Sequence, residues 1–308
     1  MSLAFLFRLG LGGAALMRLL LRLQFSSFFR YLKSSFRQLL GTQYKSLSAP
    51  DAQKSKTIYA LSLSITEKCT LRCQYCAHLM PYYNQPQDLA FDALCRDIDK
   101  LFSVADYIVE VNLVGGEPFV CKQLGAVIAY LHEHYRHQYA QLSLTTNATI
   151  VPDAALCQTL HDCLVRVNVS NYGKLSRNLR PLQKALSQNA VLWVTIAVGK
   201  TWREWCVPVR KGTVDAELAW KQCRTLLSCK FVKHGKLYFC PFLGNGDSLG
   251  LFADDESDSF VSLDAPAKAV WAYLTRTGPL EGCAHCGGSG KLIAAGAEQC
   301  KRTLERPF

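Results

Sequence analysis

Three cysteines stand at C-x3-C-x2-C in Thr66-Glu67-Lys68-Cys69-Thr70-Leu71-Arg72-Cys73-Gln74-Tyr75-Cys76, directly after the apolar run 58–65 (IYALSLSI). Three thiolates on one short loop at a strand end can hold three irons of a [4Fe–4S] cube. Such clusters normally take four cysteines, so the fourth iron is left open to an outside ligand. A zinc knuckle is the competing use, but zinc wants a second C-x2-C pair to close its tetrahedron; three incidental core cysteines are the third alternative. A second strand-like run, 107–114 (YIVEVNLV), ends in Gly115-Gly116-Glu117-Pro118. Two glycines there let a ligand approach the backbone closely, and the adjoining carboxylate can accept hydrogen bonds from an ammonium group.

These motifs need a scaffold, and the hydrophobic pattern supplies one. Strands are predicted at 58–65, 107–114, 141–145, 164–170 and 190–198, and helices at 88–102, about 120–137, 153–163 and around Leu182 and Leu186. Asp88 and Asp153 read as helix N-terminal residues. Regular alternation with helices of this length implies parallel strands, hence an α/β barrel or open sheet with its ligand site at the carboxyl ends of the strands. Both motifs fall at such ends. A sixth strand is not evident in the sequence.

Taken together, C-x3-C-x2-C, the aromatic Tyr75 before its third cysteine and the GGEP after the next strand resemble the radical S-adenosylmethionine (SAM) enzymes, over residues 57 to about 200. The resemblance implies a partial (β/α)6 barrel in which Cys69, Cys73 and Cys76 hold a [4Fe–4S] cluster, SAM chelates the open iron, Gly115, Gly116 and Glu117 bind its methionine ammonium, and Tyr75 flanks its adenine. Ser170 and Arg177 lie where relatives place SAM contacts, with a polar strand end and a solvated helix start as the alternative. The family's glycine-bearing pattern is missing from the fifth strand. A reduced flavodoxin or ferredoxin is the implied electron donor.

The C-terminal third has its own cysteines: Cys223, Cys229, Cys240, Cys283 and Cys286. Residues 229–240 read as a hairpin turning at His234-Gly235, and Cys283-Ala-His-Cys286 is a tight knuckle. This spacing resembles the auxiliary-cluster extensions called SPASM or twitch domains and implies one further [4Fe–4S] cluster on Cys240, Cys283 and Cys286 with Cys229 or Cys223 as fourth ligand. Zinc is the alternative occupant. Cys95, Cys121, Cys157, Cys163 and Cys206 sit among apolar residues and are assigned no chemistry. His132, His134 and His137 share no helix face.

Fourteen cysteines in 308 residues are not needed to staple a core of this size, and no secretory signal is convincing, so a reducing, cytoplasmic setting is expected. Residues 1–50 carry seven basic residues and no acid, supplying +7 of the net +11. As a helix beginning near Ala14, this segment puts most of those charges in a sector of about 120° with Leu and Phe filling the rest. A basic amphipathic helix lies on an anionic membrane surface; a helix packed on its own domain and a transit peptide are the other readings. No basic stripe with aromatics marks the body, which disfavours nucleic acid. The expectation is therefore three parts: a basic amphipathic segment over 1–50, a radical SAM core over 55–210, and a small cysteine-rich auxiliary domain over 215–308. The expected activity is oxidation or epimerisation of a small-molecule or lipid-linked substrate, such as a sugar or cell-envelope precursor, at the inner membrane face. A peptide-modifying enzyme and a non-catalytic iron–sulfur or zinc protein are the alternatives.

Overall fold

The ten residues Thr57–Thr66 (β1) are buried on both faces from Leu61 onward, as a central strand of a covered parallel sheet must be. The computed structural model describes residues 56–197, 202–223, 230–252, 257–293, 298–301 and 303–305; the expected amphipathic helix and Cys229 lie outside them. The chain divides into 1–47 and 48–308. Among the described residues no helix is long and apolar enough to cross a membrane.

All five expected strands are present. After β1 come β2 (Tyr107–Gly115), β3 (Tyr139–Thr146), β4 (Arg166–Asn171) and β5 (Leu192–Ala197), joined in order by parallel pairing. The connections carry α1 (Phe91–Val104), α2 (Leu124–Tyr135), α3 (Ala154–Asp162) and α4 (Leu179–Gln188). Each helix buries a stripe at helical spacing: Leu94, Ile98 and Leu101 on α1, Leu124, Val127, Ile128 and Leu131 on α2. Asp153 caps α3, accepting from Leu156 N at 2.8 Å. The helix expected over 120–137 is shorter, because a 3-10 turn Pro118–Val120 precedes it and another, Arg136–Gln138, follows.

The sixth parallel strand comes from beyond the expected boundary near 210. It is β7 (Lys230–Lys233), which pairs with β1 on the side away from β2. Its four residues lie at the start of the expected hairpin, and too short a run hid them in the sequence. The hairpin turns at His234 and Gly235, both at positive φ (51° and 72°), and returns as β8 (Lys236–Tyr238), which pairs in turn with β9 (Phe260–Ser262). The sheet therefore runs β5-β4-β3-β2-β1-β7-β8-β9, is not closed, and is an α/β partial barrel extended by antiparallel strands. A separate ribbon joins β6 (Trp202–Trp205) to β10 (Ser289–Ile293). The helices α5 (Ala216–Lys221), α6 (Pro241–Ser248) and α7 (Ala267–Leu274) complete the C-terminal part.

Candidate functional site

The cysteine loop leaves β1 and is locked to the neighbouring strand end through backbone bonds: Gly116 N donates to Thr66 O at 3.1 Å and Glu117 N to Lys68 O at 2.8 Å. The two glycines serve this contact. A Cβ at position 115 would stand 2.1 Å from Thr66 O, and one at 116 would stand 2.2 Å from Lys68 O and 2.7 Å from the Cys69 Cβ. What approaches the backbone closely here is the cysteine loop itself.

Glu117 completes the lock. Its carboxylate is fully buried and accepts from Thr146 Oγ1 at 2.8 Å, Asn147 N at 2.8 Å and Phe119 N at 3.2 Å. Burial pushes this carboxyl up to about 7, against the opposing pull of the three donors. This side chain, expected to bind an ammonium group, ties the end of β2 to the end of β3. Glu117→Gln puts an amide NH2 among donors and is expected to lower stability at neutral pH by about 2 kcal/mol, seen as a lower urea midpoint at unchanged m.

From that same corner, Asn147 reaches the thiols. Its Nδ2 lies 3.7 Å from Cys69 Sγ and 3.1 Å from Thr70 Oγ1, and Leu71 N donates to Cys69 Sγ at 3.4 Å. Asp88, expected at a helix N-terminus, instead clamps the loop's first turn. It accepts from Thr66 Oγ1 at 2.7 Å and Lys68 Nζ at 2.8 Å, while Ala90 occupies the N-cap of α1. The Tyr172 hydroxyl, just beyond the end of β4, is raised by burial, and the Cys73, Cys76 and Cys69 thiols add to the effect. Ser170 is buried on the same strand, Arg177 is exposed, and Tyr75 is half-buried with a left-handed backbone (φ 59°). The polar run Thr145-Thr146-Asn147 at the carboxyl end of β3 was the available signal for Thr146 and Asn147.

Burial pushes the Cys69 thiol up to about 12 and the Cys73 thiol to about 11, and it raises Cys76 as well; in each case the neighbouring cysteines add to the effect. Such thiols stay protonated unless a cation is brought to them, and a bound metal inverts that preference. Three partly buried thiols on one loop, with N–H donors already aimed at Cys69, are a donor set that fits a cationic metal group.

A second group of thiols lies in the C-terminal part. Cys206, Cys223, Cys240, Cys283 and Cys286 line one cavity together with Trp220, Phe239 and Phe242. Cys206, expected to be an inert core residue, is there because residues 206–209 pair with 285–288. Cys206 N donates to Gly288 O at 2.9 Å, Gly287 N to Val207 O at 2.8 Å and Val209 N to His285 O at 2.9 Å. A hydrogen bond joins the Cys206 and Cys286 thiols, raising the first and lowering the second. Among the described residues no three His, Cys, Asp or Glu side chains are gathered tightly enough for a single metal ion.

The profile of the family described as Radical SAM superfamily matches residues 63–170, which run from β1 to the end of β4 and include the cysteine loop, the two glycines and Glu117. Residues 63–170 therefore carry a Radical SAM domain. That domain family implies a [4Fe–4S] cluster and SAM. Among curated proteins, this chain is 32% identical over 118 residues to a GTP 3',8-cyclase of Sulfurovum sp., covering 37% of this chain and 34% of the cyclase. A GTP 3',8-cyclase of Bradyrhizobium diazoefficiens is 34% identical over 119 residues, covering 37% and 33%. The chain thus spans about a third of the length of the curated relatives it matches. Among solved structures, BtrN in complex with AdoMet and 2-DOIA aligns at a TM-score of 0.46 and 16% identity, covering 80% of this chain and 98% of BtrN. SuiB of Streptococcus suis bound to S-adenosylmethionine aligns at a TM-score of 0.40 and 11% identity, covering 76% and 69%.

Proposed function

We propose that this protein is a radical SAM enzyme in which Cys69, Cys73 and Cys76 hold the [4Fe–4S] cluster that binds SAM, and in which a second cluster occupies the C-terminal cavity. The reduced cluster and SAM supply a 5′-deoxyadenosyl radical for hydrogen abstraction from the substrate. The chain's own part is to orient and to exclude water. Thr66, Asp88 and the Gly115-Gly116 contact fix the cysteine loop at the carboxyl edge of the parallel sheet, and Glu117 braces the two strands behind it. The observation that carries the proposal is that lock, a three-thiol loop whose fourth ligand position the loop itself does not fill.

For the second site, thiols spread around a cavity suit a body with volume, whereas zinc draws its ligands to about 2.3 Å from one point. Cys223, Cys240, Cys283 and Cys286 are the proposed ligands, with Cys206 as a fifth thiol donating to Cys286. The proposed reaction is oxidation or epimerisation of a small or lipid-linked sugar or cell-envelope precursor. It draws on the cysteine-rich extension and on the basic segment 1–50, which would hold the enzyme at an anionic membrane surface with a reduced flavodoxin or ferredoxin as donor. The identity to GTP 3',8-cyclases reaches about a third of the chain and carries no substrate. The test is anaerobic: reconstitute with iron and sulfide, count both, add dithionite and SAM, and assay 5′-deoxyadenosine. About eight irons per chain with deoxyadenosine formation supports the proposal; stoichiometric zinc without SAM cleavage overturns it.

A further inference from the structure

The chain's far end returns to the cysteine loop. Residues 298–300 run antiparallel along 72–74: Gln74 N donates to Glu298 O at 2.6 Å, Cys300 N donates to Arg72 O at 2.8 Å, and Gln299 is bridged to Cys73. Further along, Arg72 Nη1 reaches Thr303 Oγ1 at 3.3 Å and Leu304 N donates to Pro81 O at 2.8 Å. Within this strap, Gln299 makes two side-chain contacts that determine each other. Its Oε1 accepts from Arg72 N at 2.7 Å, so its Nε2 is the atom left to face Cys73 Sγ, at 3.2 Å. Flipping the amide would set two N–H groups against each other and remove the donor from the sulfur.

We infer that Gln299 is a positioning residue for the cluster, its N–H···S bond to Cys73 raising the cluster's reduction potential. The inference rests on the proposal that Cys73 is a cluster ligand. A hydrogen bond to a ligating thiolate draws charge from the sulfur and favours the more negative, reduced cluster; hydrogen bonds to sulfur and solvent access are the protein's ordinary controls on such potentials. Cys69 receives its donors from its own loop and from β3, through Leu71 and Asn147. Cys73 sits at the loop's outer edge and takes a donor from a segment 226 residues away in sequence. The strap thus ties the ease of electron entry to correct docking of the chain's C-terminal segment.

The experiment is a potentiometric titration of the full-length, reconstituted protein, following by electron paramagnetic resonance the signal that changes on adding SAM, with iron and sulfide counted for each sample. Gln299→Leu removes both contacts. Gln299→Glu keeps an oxygen for Arg72 N, and therefore the strap, while replacing the donor to sulfur by a carboxylate. The midpoint is expected to fall from wild type to Gln299→Leu and to fall further in Gln299→Glu, at unchanged iron content. Gln299 is exposed, so both variants are expected to fold. If Gln299→Glu keeps the wild-type midpoint with full iron, the bond to sulfur does not tune the cluster and the inference fails. A wild-type protein that takes up zinc in place of iron would overturn both this inference and the proposal beneath it.

Discussion

Cys73→Ala is expected to abolish 5′-deoxyadenosine formation and to take about four irons of about eight from each chain, leaving the C-terminal cluster in place. Cys69 and Cys76 alone cannot hold a cube, and in that buried corner their thiols revert to the protonated state that burial favours. The C-terminal cavity is lined by a separate set of thiols, Cys206, Cys223, Cys240, Cys283 and Cys286. Cys283→Ala is therefore the mirror experiment: it should remove the other half of the iron and leave the SAM-responsive electron paramagnetic resonance signal. Iron analysis together with the deoxyadenosine assay separates the two sites. If Cys73→Ala retained SAM cleavage, the assignment of the 69–76 loop as the cluster site would be wrong.

The strand and helix order is legible in the sequence because each element's apolar pattern is written locally, in the apolar runs of β1 and β2 and in the Leu94-Ile98-Leu101 stripe of α1. The cysteine loop and the hairpin at His234-Gly235 are legible for the same reason, since spacing and turn chemistry are short-range properties. What holds the loop in place is not. Asp88, Asn147, Lys233 and Gln299 reach it across 20 to more than 200 residues, and nothing in the cysteine loop itself marks those contacts. Cys206 shows the same limit from the other side. Flanked by Trp205 and Val207, it looks like a small core residue, and only the pairing of 206–209 with 285–288 brings it to the other thiols. Glu117 was legible by motif, but its partners Thr146 and Asn147 were not.

Lys233→Met is expected to cost on the order of 3 kcal/mol of stability, as removal of one partner from a buried ion pair does. Lys233 is fully buried on β7, and its ammonium donates to Glu67 Oε1 at 2.8 Å, Tyr83 hydroxyl at 2.7 Å and Asn245 Oδ1 at 3.2 Å. Glu67 is the first residue after β1 on the way into the cysteine loop, so this one side chain fastens the C-terminal hairpin to the base of the candidate site. Burial lowers the Lys233 ammonium despite its partner, which means the pair itself adds little; the penalty comes from leaving Glu67 charged and enclosed with no cation beside it. On Glu67, burial pushes upward, but the hydrogen bonds from His234 and Lys233 outweigh it and hold the carboxyl at about 2, below its ordinary 4.5; of these, Lys233 is the close contact, since His234 Nε2 stands 3.9 Å away. A depressed carboxyl contributes stability that is full above about 4.5 and lost as the pH falls toward about 2. The gap between wild type and Lys233→Met in urea denaturation should therefore be widest near neutral pH and close across that acid window. The double variant Glu67→Gln with Lys233→Met removes both charges and should recover part of the loss. No recovery would mean that packing and the bonds to Tyr83 and Asn245, and not the stranded carboxylate, account for the cost.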